Sequence, residues 1–230
     1  MQRYKHIYLD LDRTLWDFKV NSTETLRDLF YKYSLDKDFT SFDVFYNSFE
    51  KHNHELWAQY LAGNMKKAIL RNRRFYLTLG ECGIYDESLS QKLGDEYITL
   101  SPTKTGLLPY TIEALDYLHD RYSLYIITNG FNEVQFAKIR NSGLEKYFRK
   151  VITSDSTGFL KPRKEIYNYA ITSVNAKKRE CIMIGDDLVN DVIGAKKAGI
   201  DQVYFNPEKN EHKESPSFEI NSLLELTEIF

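Results

Sequence analysis

Ile7-Tyr8-Leu9-Asp10-Leu11-Asp12-Arg13-Thr14 is the stretch from which the rest of the chain is read. Ile7, Leu9 and Leu11 alternate with Tyr8, Asp10 and Asp12. That two-residue period is a strand's, and it puts the last three side chains on one side. The strand runs into two carboxylates, a cation and a hydroxyl, which a strand serving only to pack has no need of.

Downstream of this strand, roughly Phe18 to Leu100 reads as helical throughout. Ser22 or Thr23 is expected to cap a helix through Tyr33, with Glu24 in its first turn. Ser41 is expected to cap another, which carries Phe42, Phe45 and Phe49 at spacings of three and four. Met65–Leu79 and Asp86–Leu100 read the same way. Ser101-Pro102, Gly106 and Pro109 mark a change of character. Beyond them helices and strands alternate: helix Tyr110–Arg121, strand Leu124–Thr128, helix Asn132–Ser142, strand Val151–Thr153 and helix Arg163–Val174. Strand Cys181–Ile184, helix Leu188–Ala198, strand Gln202–Phe205 and a short strand near Phe218–Ile220 follow. Such alternation predicts an α/β fold with a doubly wound parallel sheet to which the first strand belongs. Residues 1–17 and 103–230 then form one domain, and 18–102 is an all-helical domain inserted after the first strand.

The chain has 230 residues, with 31 Lys and Arg against 33 Asp and Glu, a net charge of −2. That balance argues against a polymeric nucleic acid as partner, which calls for a strongly basic face. No run of 18 apolar residues marks a membrane span. Met1–His6 is polar and lacks the apolar stretch and cleavage site of a secretory signal. A cytoplasmic location is expected, with Cys82 and Cys181 reduced and packed in core or helix.

In an open parallel sheet, ligands bind at the carboxyl ends of the strands. Four strands here end in reactive types: Asp10 to Thr14; Thr128-Asn129-Gly130; Gly158-Phe159-Leu160-Lys161-Pro162; and Gly185-Asp186-Asp187 with Asp191 a turn later. Clustered carboxylates repel unless a cation or proton offsets them, and hard oxygen ligands with room for water suit Mg²⁺. Mg²⁺ and a lysine attract a phosphate. A carboxylate beside it can be the nucleophile, giving an aspartyl-phosphate. A second carboxylate two residues on can protonate the leaving group and later take a proton from water. Thr and Lys can neutralise charge on the phosphoryl oxygens.

Asp10-x-Asp12-x-Thr14, Thr128-Asn129-Gly130, Lys161-Pro162 and Gly185-Asp186-x4-Asp191, in that order, resemble the four motifs of the haloacid-dehalogenase-like (HAD) hydrolases. The resemblance covers nearly the whole chain and makes the helical insert the family's cap. It implies a Rossmann-like core and a Mg²⁺-dependent phosphomonoester hydrolase. By the same carry-over Asp10 is nucleophile and metal ligand. Asp12 is general acid and base, with its backbone carbonyl on the metal. Thr128 binds the transferring phosphoryl group, with Asn129 and Gly130 beside it. Lys161 orients Asp10 and balances its charge, and Asp186 ligates Mg²⁺. Thr14 and Asp191 support the ligands, and Asp187 either does so or caps the following helix. Position 13 is commonly Gly or Asp in the family, and here it is Arg13, which is expected to face solvent, the cap or the leaving group. The cap is expected to open and close on hinges near Trp16–Lys19 and Ser101–Gly106.

Leu15-Trp16-Asp17-Phe18, Phe131, Val134-Gln135, Lys138, Ser142-Gly143-Leu144, Tyr147-Phe148 and Asn206-Pro207 resemble the pyrimidine 5′-nucleotidases within that family, which act on UMP, dUMP and dTMP. Small phosphomonoesters are therefore the expected substrates. Alternatives are a phosphoglycolate or sugar-phosphate phosphatase, a mutase, a 2-haloacid dehalogenase and a fold-sharing binding protein without turnover. Retention of Asp12 and Asp186 speaks against the dehalogenase.

Each motif also has a plainer reading. Asp10, Asp12 and Asn129-Gly130 could be turn residues, Asp186 a helix cap and Lys161 a loop lysine. In the insert, the aromatic stripe around Trp57 and Tyr60 reads as core. His52 and His54, two apart, fall on different helix faces. Lys66-Lys67 with Arg71, Arg73 and Arg74 reads as a solvated face.

Overall fold

A computed structural model describes residues 3–230. The chain divides into two compact units: one runs up to Phe18 and resumes at Thr105–Phe230, and the other is Lys19–Lys104.

In the first unit, β1 (His6–Leu9) is followed, after the insert, by α5 (Thr111–His119), β2 (Ser123–Thr128), α6 (Asn132–Asn141) and β3 (Phe148–Thr153). Then come α7 (Ser154–Thr157), α8 (Lys164–Thr172), β4 (Cys181–Gly185), a π-helical turn (Leu188–Ile193), α9 (Gly194–Ala198), β5 (Asp201–Phe205), β6 (Phe218–Ile220) and α10 (Leu226–Ile229). The six strands are all parallel, in the order β3-β2-β1-β4-β5-β6. The expected doubly wound α/β sheet is therefore the observed one.

Strand periodicity sorts the core into two layers. Ile7 and Leu9 of β1, Leu124 and Ile126 of β2, and Ile182 and Ile184 of β4 pack on one face with Leu115 and Leu118 of α5 and Ile139 of α6. Tyr8, Tyr125, Ile127, Cys181 and Met183 pack on the other with Ile166, Tyr167 and Ala170 of α8 and Ala195 and Ala198 of α9. Each fully buried large side chain of this kind stabilises the fold by roughly 1.5–3 kcal/mol. The chain winds from β1 outward to β2 and β3, then crosses back to β4 on the other side of β1. The point of reversal lies between β1 and β4, and the crevice beyond their carboxyl ends is where such sheets bind ligands.

The second unit is helical, with α1 (Phe18–Lys32), whose first residue Phe18 belongs to the first unit, α2 (Phe42–Leu61), α3 (Lys67–Gly80) and α4 (Glu87–Leu100). Its core is aromatic. Phe30, Phe39, Phe42, Phe45, Phe49, Phe75 and Tyr97 pack with Leu26, Leu29, Leu79 and Leu93. Ser41 caps α2 by accepting from the Val44 amide, and Asp86 caps α4 by accepting from Leu89.

Several expectations are corrected. Ser22 and Thr23 do not start a helix; they lie inside α1. The Thr23 hydroxyl donates to the Lys19 carbonyl one turn back at 2.7 Å, and Ser22 bonds the Tyr97 hydroxyl at 2.9 Å. A hydroxyl that can cap can equally bond backward within a helix. Arg74 leaves the solvated face: it is buried, donates to Asn53 Oδ1 at 3.0 Å and lies 4.5 Å from the Tyr97 ring centre. Cys82 is exposed, whereas Cys181 is buried, and both are free. Among the described residues, no helix is long and apolar enough to cross a membrane.

Candidate active site

The Asp10 amide donates to the Ile184 carbonyl at 2.9 Å, one residue beyond the β1–β4 ladder. The two carboxyl ends are thereby kept in register as the chain leaves the sheet. Past this point β1 cannot continue, because Arg13 has φ of 64°, the left-handed region that glycine and asparagine adopt most readily. Arg13 meets that backbone demand with an exposed side chain. Its guanidinium lies 4.5 Å from the Phe18 ring centre. The turn brings Thr14 back beneath β4. The Thr14 hydroxyl donates to Asp186 Oδ1 and accepts from the Asp186 amide, both at 3.1 Å.

Lys161 is the centre of the cluster. Its buried Nζ lies 2.5 Å from Asp10 Oδ1 and 2.7 Å from Asp191 Oδ1. Asn129 holds the Lys161 backbone from both sides, accepting from its amide at 2.7 Å and donating to its carbonyl at 3.0 Å. Asp191 reaches the site because the π-helical turn after β4 directs it back under the strand end, where its Oδ2 accepts from the Asp187 amide at 3.1 Å. A Cβ on Gly185 would run into the Asp191 carboxylate, so only glycine leaves that carboxylate its space. Asp187 points away as a cap. Its Oδ1 accepts from the Val189 and Asn190 amides and its Oδ2 from the Asn190 side chain.

Electrostatics set the character of the pocket. Burial pushes the Asp10 carboxyl up to about 7, against the pull of Lys161 and with Asp191 adding to the rise. Burial, then the Asp10 charge, raises Asp186 to about 7. Burial raises Asp191 to about 6 against the pull of Lys161. For Lys161 burial works downward, but Asp10 and Asp191 outweigh it and hold the ammonium above its ordinary value. Asp10, Asp186 and Asp191 each offer an oxygen within 4.8 Å of the others. Three carboxylates face one ammonium, a deficit of two positive charges that a divalent cation matches. The donors are hard oxygens, the set that Mg²⁺ and Ca²⁺ take.

Thr128, at the end of β2, is buried, and its Oγ1 accepts from the Gly130 amide at 3.1 Å and from Gln135 Nε2 at 2.7 Å. Both lone pairs are used, so its own proton is directed to an incoming acceptor. A Cβ on Gly130 would overlap the Gln135 side chain, so glycine there keeps the amide in place.

The structure thus gathers Asp10, Thr14, Lys161, Asp186 and Asp191 in one hydrogen-bonded and ionic cluster. Asn129 secures Lys161, and Thr128 and Gly130 form a second group. The Asp12 carboxylate belongs to that second group. Its Oδ1 accepts from Lys138 Nζ at 2.5 Å and its Oδ2 from Gln135 Nε2 at 2.9 Å. Sequence reasoning names Gln135 and Lys138 among the residues that resemble the nucleotidases, not as site residues. The available signal was two long polar side chains three apart on α6, on the same helix side, close after Thr128-Asn129-Gly130.

Comparison with known proteins agrees with this geometry. The family model for haloacid dehalogenase-like hydrolases matches residues 4–199. The chain is 31% identical over 232 residues to the HAD-hydrolase YfnB of Bacillus subtilis (strain 168), covering 100% of this chain and 96% of YfnB. A crystal structure of YfnB bound to magnesium superposes with a TM-score of 0.88 at 29% identity, covering 99% of this chain and 98% of that one. Pyrimidine 5′-nucleotidase YjjG of Escherichia coli (strain K12) is 27% identical over 230 residues, covering 99% of this chain and 98% of YjjG. Pyrimidine 5′-nucleotidase PynA of Streptococcus pneumoniae (strain ATCC BAA-255 / R6) is 29% identical, covering 97% of this chain and 93% of PynA. With the family matched over most of its length and nucleotidases among its full-length relatives, the chain belongs to the haloacid dehalogenase-like hydrolases and is a phosphatase of that family.

Proposed function

We propose that the protein is a Mg²⁺-dependent 5′-nucleotidase that cleaves pyrimidine nucleoside monophosphates through an aspartyl-phosphate. The observation that carries the chemistry is the buried Asp10, held by Lys161 at 2.5 Å through one oxygen, beside the Thr128 hydroxyl and the Asp12 carboxyl group at one sheet edge. The full-length likeness to YjjG and PynA supports the substrate class.

Lys161 takes Asp10 Oδ1 and fixes the carboxylate plane, leaving Oδ2 to attack phosphorus. As that bond forms, the phosphorus–ester oxygen bond breaks, and Asp12 gives its proton to the departing oxygen, which leaves as an alcohol. Thr128 and Lys161 bind phosphoryl oxygens and offset the charge that builds on them. Water then attacks the phosphorus of the acyl phosphate. Asp12 takes a proton from that water, the phosphorus–Asp10 bond breaks, and inorganic phosphate and the Asp10 carboxylate are released. Asp10, Asp186 and the Asp12 backbone carbonyl are the residues that would hold Mg²⁺, with Asp191 supporting them. The ion supplies positive charge to the phosphate and offsets the crowded carboxylates.

The test is phosphate release with Mg²⁺ from UMP, dUMP, dTMP, AMP, phosphoglycolate and hexose phosphates, with Asp10→Asn as blank. Selective release from the pyrimidine nucleotides is expected. Release from another ester alone removes the substrate assignment, and no release from any ester removes the reaction.

A further inference from the structure

Lys138 is the second buried lysine at this sheet edge, and no step above uses it. It projects from α6, its side chain is 4% exposed, and its Nζ sits 2.5 Å from Asp12 Oδ1. The same Nζ lies 3.9 Å from the centre of the buried Trp16 ring and 5.6 Å from that of Phe18. An ammonium sandwiched between an indole face and one carboxylate has little freedom to leave either. One turn earlier on the same helix side, Gln135 is wholly buried and donates to Asp12 Oδ2 and to Thr128 Oγ1. Among the described residues, the buried Gln135 Oε1 meets no hydrogen-bond partner. The Gln135 amide nitrogen is oriented by the two acceptors that it serves, Asp12 Oδ2 and Thr128 Oγ1.

We propose that Lys138, together with Gln135, is a positioning residue for the Asp12 carboxyl group, and that substrates with poor leaving groups depend on it. The inference rests on the reading of Asp12 as proton donor to the leaving group. A carboxyl group has about four lone-pair sites. Lys138 occupies one on Oδ1 and Gln135 one on Oδ2, so the group is fixed in plane and rotamer while a lone-pair site remains on each oxygen. An Asp12 side chain without these two contacts swings about its side-chain bonds. An alkoxide leaving group then departs without a proton donor in reach. An aryl oxide that leaves unprotonated does not notice the loss. Because Gln135 also touches Thr128, the same contact ties the Asp12 position to the hydroxyl assigned to the phosphoryl group.

The experiment is rapid-quench measurement of phosphoenzyme formation by the full-length protein with Mg²⁺. It compares p-nitrophenyl phosphate with UMP, or with whichever alkyl phosphate the substrate panel shows to be cleaved. Lys138→Met is expected to slow transfer from the alkyl ester by about tenfold or more, within the range of proton-transfer catalysis. Transfer from the aryl ester should change by less than about threefold, with KM for both unaltered. Lys138→Arg, which keeps a buried cation and serves if the methionine variant does not fold, should recover part of the loss on the alkyl ester only. Equal slowing of both substrates, or of neither, overturns the proposal. Asp12→Asn in the same assay separates the two readings. If it discriminates between the leaving groups and Lys138→Met does not, only the role of Lys138 falls. If Asp12→Asn does not discriminate, the proton role of Asp12 falls and takes this proposal with it.

Discussion

The two units bury polar groups in opposite ways. In the α/β unit the buried charges collect at the carboxyl ends of adjacent strands, where Lys161 joins Asp10 and Asp191 and Lys138 joins Asp12. In the helical unit the buried cation, Arg74, is surrounded by the rings of Phe49, Phe75 and Tyr97 and bonds an amide, Asn53. The first arrangement crowds like charges and leaves positive charge wanting. The second sets one charge among aromatic faces and neutral acceptors, the Asn53 amide oxygen and the Arg71 carbonyl, with the Glu50 charge acting on it as well. A fold does not need crowded carboxylates, and replacing buried ion pairs with apolar groups is often neutral or stabilising. Their presence marks chemistry, whereas the Arg74 cluster reads as packing.

Substitutions can break or sharpen that contrast. The largest effect is expected from Asp10→Asn, which should lower turnover by on the order of 10⁴-fold or more. It should leave the urea midpoint near that of the parent, because one crowded charge is removed. A large fall in the midpoint would mean that the cluster holds the fold together. Phe75→Ala is the mirror case. It empties an aromatic core position that contacts Phe49 at 4.9 Å between ring centres, and it should cost about 3–5 kcal/mol in urea unfolding. Below the melt, turnover should fall far less than with Asp10→Asn. Gly185→Ala should do a little of both. The added methyl displaces the Asp191 carboxylate, costing about 1–3 kcal/mol, and phosphoenzyme formation should slow because Lys161 loses one of its two anchors.

A further effect is one of pH. Burial raises Asp10 and Asp186 to about 7 and Asp191 to about 6. A carboxyl group whose folded value is raised binds its proton more tightly in the folded state. Its stabilising contribution is complete below the unfolded value near 4 and is lost as pH climbs through the folded value. Metal-free protein should therefore show a falling Tm between about pH 4 and 7 from these groups. Added Mg²⁺ should raise Tm more at pH 8 than at pH 5, since it binds the ionised forms. An equal rise at both pH values would detach the cation from these carboxylates.

The sheet was legible because β1, β2 and β4 alternate strictly between two buried faces, and because reactive residues at successive strand ends have few structural reasons to recur. What escaped the sequence is local and three-dimensional. Nothing in Ser22 or Thr23 tells whether a hydroxyl faces forward to cap or backward to the Lys19 carbonyl. Leu188–Ala198 has the composition of an ordinary helix, yet its first turn is widened as a π-helix that brings Asp191 beneath Gly185. Arg74 shares a basic run with exposed neighbours, and only the packing of α3 decides that it turns inward. Gln135 and Lys138 were visible as residues but not as partners of Asp12, because that contact spans 126 positions for Lys138.

The central place of β1 in the sheet has a bearing on the order of events during synthesis. β1 leaves the ribosome well before its two neighbours, β2 and β4, which lie far down the chain. His6 pairs with Ser123 on one side and Cys181 on the other, and Thr14 meets Asp186 across 172 positions. Closing loops of that length delays such contacts relative to local ones. The helical insert, whose core draws only on Leu26 to Leu100, can therefore mature while β1 waits unpaired. Asp10 leaves the ribosome 151 positions ahead of the Lys161 ammonium that it pairs with, and the cluster closes only when Asp191 emerges. A nascent chain halted before that point would carry the helical unit without the assembled carboxylate–lysine cluster.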